Sequence, residues 1–395
     1  MQSDPVPDDL KAEIRAVAGQ LGFHLCGFAP AVSSQGHSDL LRWIDEGYAA
    51  EMDYFSQRVD AYKHPSGVLP GVRSIIALAY PYPSGSERID ATGKHIPSDG
   101  QTPSGRGKVA RYAWTGDDYH DWIHPKLKTL CRTLQSCAPE SRSRGVVDTA
   151  PLMEREVAQL AGLGWRGKNT LLLRPLVGSY FFLACVLTTV ELQPDPPFDR
   201  FHCGTCTACL DACPTDAFPQ PGVMDASRCI SYLTIEHRGS IPQPLRPQIG
   251  DWVFGCDVCQ EVCPWNRQSS RGDTKAGGES MASPEPTMTD LDLHDLFTLD
   301  DEQFRKRYRK TALWRTRRRG ILRNAAIVLG NQGTTESLGP LTTGLSDHEP
   351  LVRSASAWAL GRIGGKARSV LMQRLATEDD PEVIAEIQSA IDHLA

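Results

Sequence analysis

Apolar residues recur at helical intervals early in the chain: Leu10, Ile14, Val17 and Leu21 share one side of a helix predicted over 8–20. Gly22 ends it, and residues 23–28 follow as a strand. The turn Pro70-Gly71 introduces a second strand over 74–80. Residues 83–107 are rich in Ser, Gly and Pro and read as a long loop. Helices are predicted over 118–136 and 153–163. The most apolar run, 178–190, is β-branched and aromatic and reads as a buried strand or hairpin. It falls short of the ~18 apolar residues of a membrane span, so no membrane association is expected. Alternating helical and strand-like segments make the region 1–194 an α/β domain.

The C-terminal pattern is different. The segment Ala325-Ala-Ile-Val-Leu-Gly330 reappears as Ser356-Ala-Trp-Ala-Leu-Gly361, 31 residues later. Pro350 and Pro381 stand at the same spacing. Each unit supplies two short helices, a HEAT-like α-solenoid. So few units bury too little surface alone and should dock on the preceding domain. Residues 267–287 are polar and Gly/Ser-rich, a flexible linker. The expected fold class is therefore α+β and multidomain: an α/β domain over 1–194, a cysteine-rich module over 195–270 with an insertion at 214–255, and a basic helical region with HEAT-like repeats over 288–395.

Two cysteine runs give the middle module its chemistry. Cys203, Cys206, Cys209 and Cys213-Pro214 have the spacing that folds around a 4Fe–4S cube, and Cys256, Cys259 and Cys263-Pro264 form a second run. In two-cluster ferredoxins the last cysteine of a run ligates the other cube. Cluster one then takes Cys203, Cys206, Cys209 and Cys263. Cluster two takes Cys213, Cys256 and Cys259, and Cys229 is the nearby candidate for its fourth ligand. A zinc ribbon stops at four ligands and leaves the third spacing and both Cys-Pro endings unexplained. Disulfides need an oxidising compartment, and the acidic N-terminus has no secretory pattern. A cytoplasmic location is expected. Cys26, Cys131, Cys137 and Cys185 read as buried small hydrophobes.

The net charge of −6 argues against a wholly basic nucleic-acid binder. Locally the picture reverses. Ten cations lie between Arg305 and Arg323, among them Arg315, Arg317, Arg318 and Arg319, interleaved with Phe304, Tyr308 and Trp314. Such a patch suits a polyanion; the alternative is a solvated helix face. Asp148, after a strand-like Gly-Val-Val and before Pro151 at a helix start, has a helix N-cap as its plain structural alternative. The Gly-x-Gly-Trp-x-Gly-Lys-Asn segment ending at Asn169 is a tight loop bearing a cation and an amide, without the phosphate-loop pattern.

Three elements together resemble the epoxyqueuosine reductases, cobalamin-dependent iron–sulfur enzymes of tRNA queuosine synthesis. They are Val147-Asp148-Thr149 with Pro151, Glu154 and Arg155 and the Trp165…Lys168-Asn169 loop; the first cysteine run with Cys229-Ile230-Ser231-Tyr232-Leu233-Thr234; and the second run ending in Pro264-Trp265-Asn266. The resemblance runs over nearly the whole chain. It implies a cobalamin-binding first domain and a substrate tRNA carrying epoxyqueuosine at wobble position 34. Electrons would pass from a low-potential donor, flavodoxin- or ferredoxin-like, through both clusters to cobalamin, and the epoxide oxygen would leave as water. Asp148 matches the family's proton donor, a carboxylic acid whose pKa a dry site would raise. Tyr119, Ser231, Asp257 and Lys168 are implied cobalamin contacts, as is His120, which reads equally as a surface histidine. Arg238 matches a position near the tRNA, beside Arg317, Arg318, Arg319 and Arg323. The family binds cobalamin base-off, with no histidine lower ligand, and Asp118-Tyr119-His120 lacks the glycine of the usual lower-ligand signature. A monomer is expected. The competing reading is a reductive dehalogenase acting on a small molecule; those proteins usually carry a twin-arginine signal and no HEAT repeats, the reverse of this sequence.

Overall fold

Residues 8–82, 88–89, 95–96, 102–269 and 288–394 are described in the computed structural model. The strand Ser74–Pro81 is buried along almost its whole length, and the first domain is built around it. It pairs antiparallel with Leu25–Pro30 on one side and with Phe181–Thr188 on the other, and Ser143–Val146 completes the sheet. Alternate residues of a strand face opposite ways. Ile76 and Leu78 therefore pack with Leu10, Ile14, Ile123 and Leu127, from helices Asp8–Gln20 and Tyr119–Cys137. Ile75, Ala77 and Ala79 meet Val157 and Ala158 of the helix Glu154–Leu160. Two covered faces explain the continuous apolar runs. All four strands pair antiparallel, so this domain is α+β rather than a parallel α/β unit. The helix expected over 153–163 is shorter because Gly162, at φ +75°, turns left-handed after it.

Much of the loop expected over 83–107 lies outside the described residues. Within it, Arg88–Ile89 pairs with His95–Ile96, and Arg106–Val109 is a strand. That strand pairs in parallel with Trp252–Phe254 and antiparallel with Asp290–Asp292. One small sheet thus joins segments from all three sequence regions. Of the linker expected at 267–287, residues 267–269 close the helix Pro264–Ser269, and 270–287 lie outside the described residues. Of the four isolated cysteines only Cys185 is fully buried; Cys137 is exposed. No helix among the described residues is long and apolar enough to cross a membrane.

Helices Arg317–Gln332, Pro350–Ile363 and Pro381–His393 pack in series. The repeated glycine marks where they cross. A Cβ on Gly330 would lie 2.8 Å from Ala359 Cα, and one on Gly361 would lie 2.8 Å from Ala390 Cβ. The repeats dock on the cluster module, as so short an array requires. Asn324 Nδ2 donates to the Thr234 and Val253 carbonyls at 2.8 and 2.9 Å. Arg246 forms a two-pronged pair with Glu386 at 3.0 and 2.9 Å.

Two arginines read from the sequence as tRNA contacts belong to this scaffold instead. Arg323 is 1% exposed and donates to the Leu233, His237 and Gly239 carbonyls. Arg318 donates to the Leu299 carbonyl at 2.8 Å and pairs with Asp347 at 2.5 Å. Buried donors consumed by internal acceptors are closed to a polyanion. Phe304 and Tyr308 are likewise core residues, so the aromatic interleaving of the basic stretch reports helix packing rather than base stacking.

Gly330→Ala should destabilise the protein by about 1–3 kcal/mol through overpacking, against the usual gain from alanine in a helix. Gly339→Ala, with nothing within 4 Å of its added methyl group, should be neutral or stabilising. Thermal unfolding of the two variants checks the contrast.

Candidate active site

The eight clustered cysteines line two adjoining cavities. Cys203, Cys206, Cys209 and Cys263 line the smaller, of about 250 Å³. Cys213, Cys229, Cys256 and Cys259 line the larger, of about 420 Å³. The short helices Ala208–Asp211 and Val258–Glu261 carry one cysteine of each set and pack together. Burial and then the neighbouring Cys263, Cys203 and Cys206 sulfurs push the Cys209 thiol up to about 11. Burial, then Cys229 and Asp257, with Cys209 and Cys213 further off, hold Cys259 well above its ordinary value. Thiols crowded this way ionise together only around positive charge, which is what a metal cluster supplies. Trp165 Nε1 reaches Cys203 Sγ at 3.5 Å and the Ala217 N–H reaches Cys213 Sγ at 3.3 Å; such bonds tune cluster potential.

The larger cavity is also lined by Asp148 and Tyr119, and by Ser231 and Asp257, which lie in the same segments as Cys229 and Cys256. Asp148 is not an N-cap: the helix after it starts at Glu154, with Met153 at the cap. It sits instead at φ +45°, a left-handed conformation that costs a non-glycine residue about 1–2 kcal/mol. The Asp148 N–H is held there by Glu154 Oε1 at 2.9 Å. Its carboxylate accepts from Tyr119 Oη and from His120 Nε2, the latter at 2.9 Å. On the far side of the ring, His120 Nδ1 meets Asp118 Oδ1 at 2.7 Å. Arg315 Nη2 donates to Tyr119 Oη at 2.8 Å and approaches Asp148 Oδ2 at 3.4 Å.

These contacts set the charges. Burial alone would raise the Asp148 carboxyl, but the hydrogen bonds from His120 and Tyr119 and the charges of Arg315 and His120 outweigh it. The net shift is downward, opposite to the raised value expected from a dry site. Burial lowers His120, yet its bonds to Asp118 and Asp148 prevail and lift it to about 9. Glu154 faces the cavity but is otherwise enclosed by protein; burial and the Asp148 charge push it up to about 8.

The remaining expected contacts divide. Asp257 lines the cavity, with its Oδ2 accepting from the Arg111 N–H at 2.7 Å. Lys168, expected at cobalamin, instead lines the smaller cavity, where Nζ donates to the Gly204 and Cys206 carbonyls at 2.7 and 2.9 Å. Arg317 and Arg319 are exposed, and Arg317 stacks 4.2 Å over Trp314. Arg238 donates to the Arg315 carbonyl at 2.7 Å, beside the residue whose side chain approaches Asp148. Sequence reasoning missed the roles of Arg315 and Glu154. Arg315 was one cation among ten, and no local pattern separated it from its neighbours.

Residues 202–266 match the 4Fe-4S double cluster binding domain, 63–149 match epoxyqueuosine reductase QueG, DUF1730, and 312–392 match HEAT repeats. The chain is 39% identical to the epoxyqueuosine reductase of Pseudomonas aeruginosa over 92% of its own length and 97% of the relative's. It is 35% identical to that of Escherichia coli, covering 91% of each. A solved epoxyqueuosine reductase with an epoxyqueuosine-modified tRNA-Tyr stem loop superposes with a TM-score of 0.84 at 32% identity, over 98% of this chain and 99% of that one. A Bacillus subtilis epoxyqueuosine reductase, solved with the loop of its catalytic aspartate swung out of the active site, gives 0.83 at 32% identity, over 98% and 99%. This chain belongs to the epoxyqueuosine reductase family of oxidoreductases.

Proposed function

We propose that this chain reduces epoxyqueuosine at the wobble position of tRNA to queuosine, with Asp148 giving protons to the departing oxygen and two 4Fe–4S clusters giving electrons to cobalamin. One observation carries the reading. A single cavity is lined by both the second cysteine set and a hydrogen-bonded carboxylate. Electrons and protons can thus converge on one enclosed point.

The larger cavity suits a corrin ring. Its wall is largely apolar and aromatic, with Tyr112, Leu172, Phe181 and Phe182, edged by Ser231, Asp257 and Gln260. Cobalamin bound there supplies a metal centre that accepts single electrons and opens a strained carbon–oxygen bond.

The chain's own residues do the rest. Cluster one would be held by Cys203, Cys206, Cys209 and Cys263, and the exposed Cys206 makes this the side where an electron donor docks. Cluster two would be held by Cys213, Cys229, Cys256 and Cys259, against the cavity. Opening an epoxide builds negative charge on oxygen, which must be protonated as it forms. Asp148 faces that space, and Tyr119 and Arg315 steady its carboxylate from behind. The catalytic aspartate of the Bacillus subtilis relative also lies on a loop. The tRNA would lie along Arg238, Arg317 and Arg319. The basic segment reaches the acid through Arg315, whose Nη2 lies 3.4 Å from Asp148 Oδ2, and it meets the start of the 119–137 helix, where the Asp118 N–H donates to the Lys310 carbonyl at 2.7 Å.

Asp148→Ala should keep both clusters and cobalamin yet form no queuosine; turnover at the wild-type rate, read by nucleoside mass spectrometry, contradicts its role. Cys229→Ala should lose one cube, leaving roughly four irons per chain instead of about eight; iron analysis near eight refutes the ligand assignment. Replacing Arg317 and Arg319 with alanine should weaken tRNA binding and flatten the plot of log affinity against log salt by about 0.7 per lost phosphate contact. An unchanged slope, measured by filter binding, returns both residues to a solvated surface.

A further inference from the structure

We propose that His120 feeds protons to Asp148: its Nε2–H bond breaks as an O–H bond forms on Asp148 Oδ1, while Asp118, bonded at Nδ1, holds the ring for the exchange. This rests on Asp148 being the acid and concerns where its protons come from. Stoichiometry raises the question. Removing an epoxide oxygen as water consumes two electrons and two protons, and both protons end on the same oxygen. One carboxyl group carries one. Asp148 must therefore be reloaded within a single turnover, while substrate fills the cavity on its open side.

The geometry offers one route behind Asp148. The Nε2 atom of His120 lies 2.9 Å from Asp148 Oδ1, and the side chain keeps 16% of its surface exposed, which gives the ring a path to solvent for regaining a proton between transfers. Tyr119 is a poorer source. Burial and the Asp148 charge raise its phenol further above its ordinary value. Glu154 also lines the cavity, but its Oε1 holds the Asp148 backbone N–H.

The groups facing His120 favour a charged ring. Asp118 and Asp148 bond its two nitrogens. Opposing them are Arg315 Nη2, 3.5 Å from Nε2, and the His124 ring at 5.8 Å. The Tyr119 ring stacks on it at 4.2 Å. With the ring lifted to about 9 and Asp148 lowered, the resting proton sits on His120 at neutral pH. It moves to Asp148 only as charge develops on the substrate oxygen. His120 and Asp148 are the catalytic pair; Asp118 is a positioning residue, fixing the Nδ1–H tautomer as a carboxylate does behind a catalytic histidine.

His120→Gln keeps a donor toward Asp148 but cannot cycle a proton. In protein whose iron and cobalamin content matches wild type, kcat should fall roughly 10²-fold with KM for tRNA unchanged, and added imidazole should restore part of the rate. Asp118→Asn keeps the oxygen that caps the His120 N–H but removes its charge, so the alkaline fall in kcat, near 9 in wild type, should move to lower pH. The His120 Cε1–H resonance in cobalamin-free protein should titrate near 9 and shift down likewise. Wild-type kcat in His120→Gln, a loss that imidazole leaves untouched, or an alkaline limb and ring titration unmoved in Asp118→Asn each overturns the relay. Asp148→Asn separates the two claims. If it is inactive while His120→Gln is fully active, the relay alone falls; if Asp148→Asn turns over normally, the assignment of Asp148 falls with it.

Discussion

Asp148 is held in a left-handed conformation by bonds from three separate stretches of chain, and the rest of the site is arranged around that constraint. Glu154 fixes its backbone. Tyr119 and His120, from the start of the 119–137 helix, fix its carboxylate. Arg315 reaches in from the basic segment. Aspartate tolerates the left-handed region better than most residues, and here the bond from Asp148 N–H to Glu154 fixes it there. The loop that results places a carboxylate in the lining of a cavity that four cysteines also line. A network of this kind is costly to leave half-satisfied, because each buried charge then loses its partner.

That network spans regions that could otherwise drift apart. The small sheet formed by Arg106–Val109, Trp252–Phe254 and Asp290–Asp292 ties them together. Arg323 and Asn324 then fasten the first repeat helix to the backbone that follows Cys229. The repeats are thus part of the scaffold around the site. They brace the segment that carries a cluster cysteine on one side and Arg315 on the other. Charge is distributed to match: Arg318 and Arg323 are buried in the scaffold, and Arg317 and Arg319 are exposed.

The large features were legible in the sequence because they repeat or have fixed spacing. The cysteine runs, the Leu-Gly repeat and the apolar strands each impose a period. One cavity is lined by Cys203, Cys206, Cys209 and Cys263 and the other by Cys213, Cys256 and Cys259 together with Cys229, the candidate proposed for the fourth place. What escaped depended on long-range geometry. Arg318, Arg319 and Arg323 look alike as letters, yet helix periodicity buries two and exposes the third. Lys168 lies in a loop matching the family but faces the other cavity. His120 read equally as a surface residue, since neither the fold of its helix back toward Asp148 nor the resulting upward shift has a local signature. The expected rise in the Asp148 pKa failed for the same reason: burial was anticipated, and its partners were not.

The central claim is that one cavity receives electrons from the cysteine side and protons from the Asp148 side. A crystal structure of the protein loaded with both clusters and cobalamin tests it most directly. The account predicts the corrin in the larger cavity, its cobalt facing Asp148, one cube held by Cys213, Cys229, Cys256 and Cys259 behind it, and no imidazole of this chain on the metal. A corrin seated elsewhere, or a histidine of this chain bound to cobalt, would contradict it.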